Sequence, residues 1–237
     1  MDTGAGTGTP RSVLVTALCA VLVTVGAVIT AVLLRQNSAA GVAPVPGGAP
    51  SIEPACGAGP CTAIASATAG GDTVELLADG SGSGGQVRFG TGAAATVIET
   101  ALTGSEVQLT ADSLRCADGV VPTCLVRGPF DQGTIGEVLV KRGNGWESAG
   151  QPYFSDAGAI VLDDVLGDGT AEVINVQRNC APGDSTADCG QARVLARVLD
   201  IDGAEQGCTK TYRTPGELRG WPDVSLTERD LRDCPGA

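Results

Sequence analysis

Two kinds of apolar patterning divide the chain. From Ser12 to Leu34 it runs 23 residues without a charge, bounded by Arg11 and Arg35. As a helix at 1.5 Å per residue this run reaches about 34 Å, enough for a hydrocarbon core of roughly 30 Å. It predicts a single transmembrane helix over 12–34, preceded by a cytoplasmic tail of residues 1–11. Residues 35–60 show no periodicity and are rich in Ala, Pro and Gly, as in Gly41-Val42-Ala43-Pro44-Val45-Pro46-Gly47-Gly48. Such a stretch reads as an extended tether.

Residues 61–237 change to short runs that alternate apolar and polar residues between turn signals, the mark of half-buried strands. The runs predicted as strands are Thr73–Leu77, Gln86–Phe89, Thr96–Glu99, Glu106–Thr110, Glu137–Lys141, Ala159–Leu162, Glu172–Val176 and Arg193–Val198. Gly80–Gly85 reads as a flexible loop, and Asn144-Gly145 as a hairpin turn. Ser225-Leu226-Thr227-Glu228 has capping-box spacing and predicts a short helix through Arg232. Thr214–Glu217 suggests one further helical turn. The expected fold is mainly β: a transmembrane helix plus an antiparallel domain of meander, sandwich or blade-like units, with a short C-terminal helix. A faint repeat sets Cys116, Cys124 and the following strand against Cys180, Cys189 and theirs, which would suit blade-like units.

The cysteines decide the compartment. Cys19 lies in the apolar run, behind Leu18 rather than the small residue that lipoprotein processing wants. The other eight are Cys56, Cys61, Cys116, Cys124, Cys180, Cys189, Cys208 and Cys234. An even set behind an export segment reads as a disulfide framework, although eight cysteines allow 105 pairings. Proximity in the chain pairs Cys56–Cys61, Cys116–Cys124 and Cys180–Cys189, and Cys208–Cys234 follows by elimination. The spacing does not suit a structural zinc knuckle, and the chain has no histidine. Disulfides need an oxidising side, so the domain is expected outside the cytoplasm on a single-pass cell-membrane protein. Flanking charge adds little, because Arg11 and Arg35 oppose each other. Ser38-Ala39-Ala40 leaves a second outcome open, removal of the apolar run by cleavage after Ala40.

Composition narrows the function. The net charge is −12, and 26 of the 27 acids lie beyond residue 35. A domain of that charge repels nucleic acid and anionic headgroups. Ala, Gly and Val abound, and Lys141 and Lys210 are the only lysines among 15 basic residues, a composition like that of a high-GC Gram-positive bacterium. Without histidine the commonest general base and metal ligand are missing. No nucleophile elbow, phosphate loop or dinucleotide fingerprint occurs.

One segment carries candidate chemistry: Asp163-Asp164-Val165-Leu166-Gly167-Asp168-Gly169-Thr170-Ala171-Glu172, between two predicted strands. It resembles the loop of FG-GAP and related propeller repeats, D-x-[DN]-x-D-G-x-x-[DE]. The resemblance spans about a dozen residues and occurs once. In that family the loop often binds Ca²⁺ through oxygens at alternate positions, a glycine permitting the sharp turn. Carried over, it implies Asp164 and Asp168 as side-chain ligands, Thr170 through its carbonyl and Glu172 as the closing carboxylate. Leu166 stands at the second ligand position and has no oxygen to offer. The competing reading is a tight strand–turn–strand connection whose carboxylates bond nearby backbone N–H groups. Apart from weak calcium, no cofactor is expected. The function expected is a non-enzymatic interaction or structural module of the cell envelope, with the membrane and an envelope protein as partners. The alternative is a hydrolase working with carboxylates alone on an envelope substrate.

Overall fold

The computed structural model describes residues 55–56, 59–104, 107–181, 183 and 189–235. The predicted anchor, Cys19 and most of the tether lie outside the described residues, among which no helix is long and apolar enough to cross a membrane.

A two-stranded hairpin of β1 (Ala55–Cys56) and β2 (Gly59–Pro60) opens the folded unit. Three antiparallel meanders follow in chain order. The first comprises β3 (Thr62–Ala69), β4 (Asp72–Ala78), β5 (Gln86–Phe89) and β6 (Thr96–Glu99). The second comprises β7 (Leu114–Ala117), β8 (Thr123–Phe130), β9 (Gly133–Arg142) and β10 (Gly145–Ser148). A short β11 (Tyr153–Ser155) extends it by pairing with the start of β9. The third comprises β12 (Ile160–Asp163), β13 (Glu172–Arg178), β14 (Val194–Leu199) and β15 (Glu205–Cys208).

Alternation decides how the sheets stack. In β5, Val87 and Phe89 are buried against the second sheet, while Arg88 points away and pairs with Glu75 of β4. Phe89 stacks on Trp146 of β10 with centroids 4.3 Å apart, and the Trp146 Nε1 donates to Asp72 at 2.9 Å. The second sheet is buried on both faces. Cys124, Val126 and Leu139 pack toward the first sheet; Leu125, Val138 and Val140 pack toward Ile160 and Val173 of the third. The outer face of the third sheet, with Ile174, Val176, Ala196 and Val198, is covered by Leu218, Val224 and Leu226 of the C-terminal segment. That segment then runs beside β15, where Cys208 and Arg232 exchange both backbone hydrogen bonds, before Cys234 closes on Cys208. With few aromatic rings available, the core rests on aliphatic side chains interleaved between sheets.

The four bridges are Cys56–Cys61, Cys116–Cys124, Cys180–Cys189 and Cys208–Cys234, as spacing predicts. The strands at 86–89 and 96–99 fall where the alternation puts them. Other expectations change. Val107–Thr110 forms no strand: Val107 and Leu109 are buried, but the backbone is tied by isolated bonds, Leu109 N to Gly82 O and Ser113 N to Thr110 O, rather than by a ladder. Gly80–Gly85 is organised around Asp79, whose Oδ1 accepts from Ser81 N and Ser83 N. The β9–β10 turn centres on Gly143 and Asn144, because Gly145 already pairs with Arg142. Gly143 has φ +60°, and a positive φ at the first central residue is what a II′-type turn requires. The C-terminal helix is one 3₁₀ turn, Glu228–Asp230, capped by Thr227 with Asp230 closing the box. It cannot run on, since Arg232 is drawn into extended pairing with Cys208. The cysteine-based repeat also fails in its alignment. Cys116–Cys124 bridges the first two strands of the second meander, whereas Cys180–Cys189 closes the connection between the second and third strands of the third.

Candidate functional site

In a meander the first and third turns emerge at one end, and hydrogen bonds tie these turns together across the three sheets. Gly70 N, in the β3–β4 turn, donates to Asp118 Oδ1 in the β7–β8 turn. Val120 N donates to Gly169 O in the β12–β13 turn. Lys141 reaches Gly70 O and Asp72, while Arg142 pairs with Glu147 and with Asp202 of the β14–β15 turn. Two cations thus hold together an end that bears Asp72, Asp118, Glu147, Asp164, Asp168, Asp200 and Asp202. The phenol of Tyr153 is pushed up at this end by burial, and by the charges of Asp200 and Asp202. Gly119 is required here, because a side chain on it would collide with Gly169 O.

The Asp-rich loop is the β12–β13 turn. Asp164 is exposed and accepts from three backbone N–H groups, Gly167 at 2.8 Å, Asp168 at 3.1 Å and Gly169 at 3.1 Å. Asp168 accepts from Thr170 N at 2.8 Å. Glu172 is buried, 2 % exposed, and accepts from Val165 N at 2.8 Å and Leu166 N at 3.2 Å. Desolvation raises the Glu172 carboxyl above its ordinary value, the nearby charges of Asp168 and Asp164 add to this, and the two backbone donors oppose it. Gly167 and Gly169 both take positive φ, as a turn this tight demands. Leu166, at the ligand position without oxygen, lines an open depression of ≈ 790 Å³ with Glu205, Glu228 and Leu231.

The carboxylates of Asp164, Asp168 and Glu172 are therefore engaged by backbone donors of their own loop. Two other groups among the described residues bring three potential ligand atoms within 4.8 Å of one another: Asp156 with Cys180 and Cys189, and Glu205 with Cys208 and Cys234. In both groups the sulfurs are joined as disulfides. Sequence reading missed both carboxylates; nothing along the chain links Asp156 to Cys180 and Cys189, which follow it by 24 and 33 residues. The buried acids Glu137 and Glu172 belong to different sheets. Glu137 accepts from Ala101 N at 2.6 Å and Ser148 Oγ at 2.7 Å, locking the loop after β6 onto the second sheet. The Asp200–Gly203 turn follows the same rule, with Asp200 Oδ1 accepting from Asp202 N and Ala204 N.

No family model, no curated protein and no solved structure matches the chain.

Proposed function

We propose that the protein is a non-enzymatic module of the bacterial cell envelope, anchored by residues 12–34 and presenting its β domain outside the cytoplasm. The observation that carries this reading is the stapled stack. Three meanders share buried faces, four disulfides close them, and the first and third turns gather at one end. Such a scaffold holds loops rigidly for contact with another molecule. The carboxylates of Asp164, Asp168 and Asp200 are spent on capping their own turns, and the acid-rich end suits a partner of basic character. The framework itself argues for an oxidising compartment.

The test is twofold. Protease added to intact spheroplasts should degrade the domain, and crosslinking on intact membranes should capture a partner through the turns at 118–122, 164–171 and 200–204. Protection of the domain from external protease would overturn the placement. Crosslinks that form only through other faces would overturn the assignment of the binding end.

A further inference from the structure

Three of the four bridges have a sulfur-bearing residue sealed in the core: Cys56, Cys124 and Cys208 are each 0 % exposed. Cys180 and Cys189 are both only half-buried. The difference governs thiol exchange. Attack on one sulfur expels the other as a thiolate, and a thiolate expelled into an apolar core loses its solvation. At Cys180–Cys189 either sulfur can be attacked and either can leave into solvent. Asp156 lies against this pair, its carboxylate within 4.8 Å of both sulfurs.

The scaffold around the three residues does not depend on the bridge. Arg178 pairs with Val194 at the end of the β13–β14 ladder, and Asn179 N donates to Arg193 O at 2.7 Å just beyond it. Ala192 N donates to Cys189 O at 3.0 Å, and Asp156 Oδ1 accepts from Arg178 N at 2.8 Å. Opening the disulfide leaves the base of the loop closed and the carboxylate fixed.

We propose that Asp156, Cys180 and Cys189 form a redox-gated cation site: a closed clip when oxidised, and when reduced a two-thiolate, one-carboxylate site for a borderline-soft divalent cation such as Zn²⁺. The reductant is a dithiol. Its thiolate attacks one sulfur and expels the other, giving a mixed disulfide. Its second thiol resolves that intermediate, so the dithiol leaves as a disulfide and the two cysteines as thiols. Metal binding then releases the two thiol protons, and solvent completes the tetrahedron. Glu205 with Cys208 and Cys234 has the same ligand types, but its sulfurs are buried, so that group stays oxidised under the same treatment. This inference is independent of the envelope role proposed above.

The test uses the full chain in detergent. Graded dithiothreitol followed by alkylation and peptide mapping should label Cys180 and Cys189 before any other bridged pair. After anaerobic removal of the reductant, the partly reduced protein should bind one Zn²⁺, which should protect those two thiols from alkylation. Asp156→Asn keeps the acceptor for Arg178 N and removes the anionic ligand, so zinc affinity should fall by on the order of tenfold or more. Prior opening of another bridge, absence of zinc binding after reduction, or unchanged affinity in Asp156→Asn would each overturn the proposal. So would zinc binding that persists when Cys180 and Cys189 are both replaced by Ser.

Discussion

Replacing Cys208 and Cys234 together by Ala tests whether the C-terminal segment is part of the fold or an appendage. The bridge spans a sequence separation of 26, against 8 for Cys116–Cys124. In the chain-entropy model those loops are worth about 3.5 and about 2.5 kcal/mol respectively. At roughly 2–4 °C per kcal/mol for a domain of this size, the first substitution should lower Tm by about 7–14 °C and the second by about 5–10 °C. The structure widens the gap, because Cys208 and Cys234 are both buried beside Leu195, whereas Cys116 of the shorter bridge is only half-buried, so the first substitution leaves the larger void. The segment keeps its other ties, with Leu218, Val224 and Leu226 on the third sheet and Arg232 paired with Cys208 through the backbone. The assay is differential scanning calorimetry of oxidised protein, with limited proteolysis alongside. Loss of the bridge should lower a single transition, not split it, because the segment covers the face that the third sheet would otherwise expose. A larger fall for the Cys116/Cys124 variant would refute the reasoning. So would rapid cleavage beyond residue 209 with Tm unchanged, which would make the segment an appendage.

Millimolar calcium in place of chelator should move Tm by less than about 2 °C, since a ligand near its Kd adds only about 0.4 kcal/mol. The Asp164, Asp168 and Glu172 carboxylates already accept from backbone donors, and a large shift abolished by Asp168→Ala would contradict this. The raised Glu172 carboxyl keeps its proton to higher pH in the folded state than in the unfolded chain. The folded state then binds more protons just above the ordinary glutamate range, so this group makes stability rise as the pH falls through that window. Glu172→Gln should flatten that part of the denaturation–pH profile, and an unchanged profile would disprove the assignment. Asp72 behaves oppositely: hydrogen bonds from Trp146 and Lys141 hold it below the usual aspartate value. Its stabilisation is present above that range and disappears as the pH falls through the folded value, so Asp72→Asn should lessen the acid-induced loss. Gly119→Ala, facing Gly169 O, should destabilise by more than about 1 kcal/mol in urea titration, whereas Gly145→Ala, with open space at its Cβ, should change stability by about 0.5 kcal/mol at most.

The sequence by itself determined the β class, several strands and the disulfide pairing. Gln86–Phe89 is legible because one face is buried and the other polar, so the burial alternates residue by residue. Three of the cysteine spacings are short, and loops of that length bring their ends together whatever surrounds them; Cys208–Cys234 then follows by elimination. What escaped reading was decided by contacts between sheets. β8 (Thr123–Phe130) is buried on both faces by neighbouring meanders, which erases the alternation, and β3 (Thr62–Ala69) is half alanine and offers little contrast. Glu106–Thr110 alternates well, yet Val107–Thr110 finds no strand to pair with, and a β pattern without a partner is not a strand. The Asp-rich loop was legible as a turn, but local geometry and the burial of Glu172 decide which donors its carboxylates take. The meeting of Asp156 with Cys180 and Cys189 was invisible along the chain. It arises because Asp156 accepts from Arg178 N at the end of β13, a juxtaposition made only by packing.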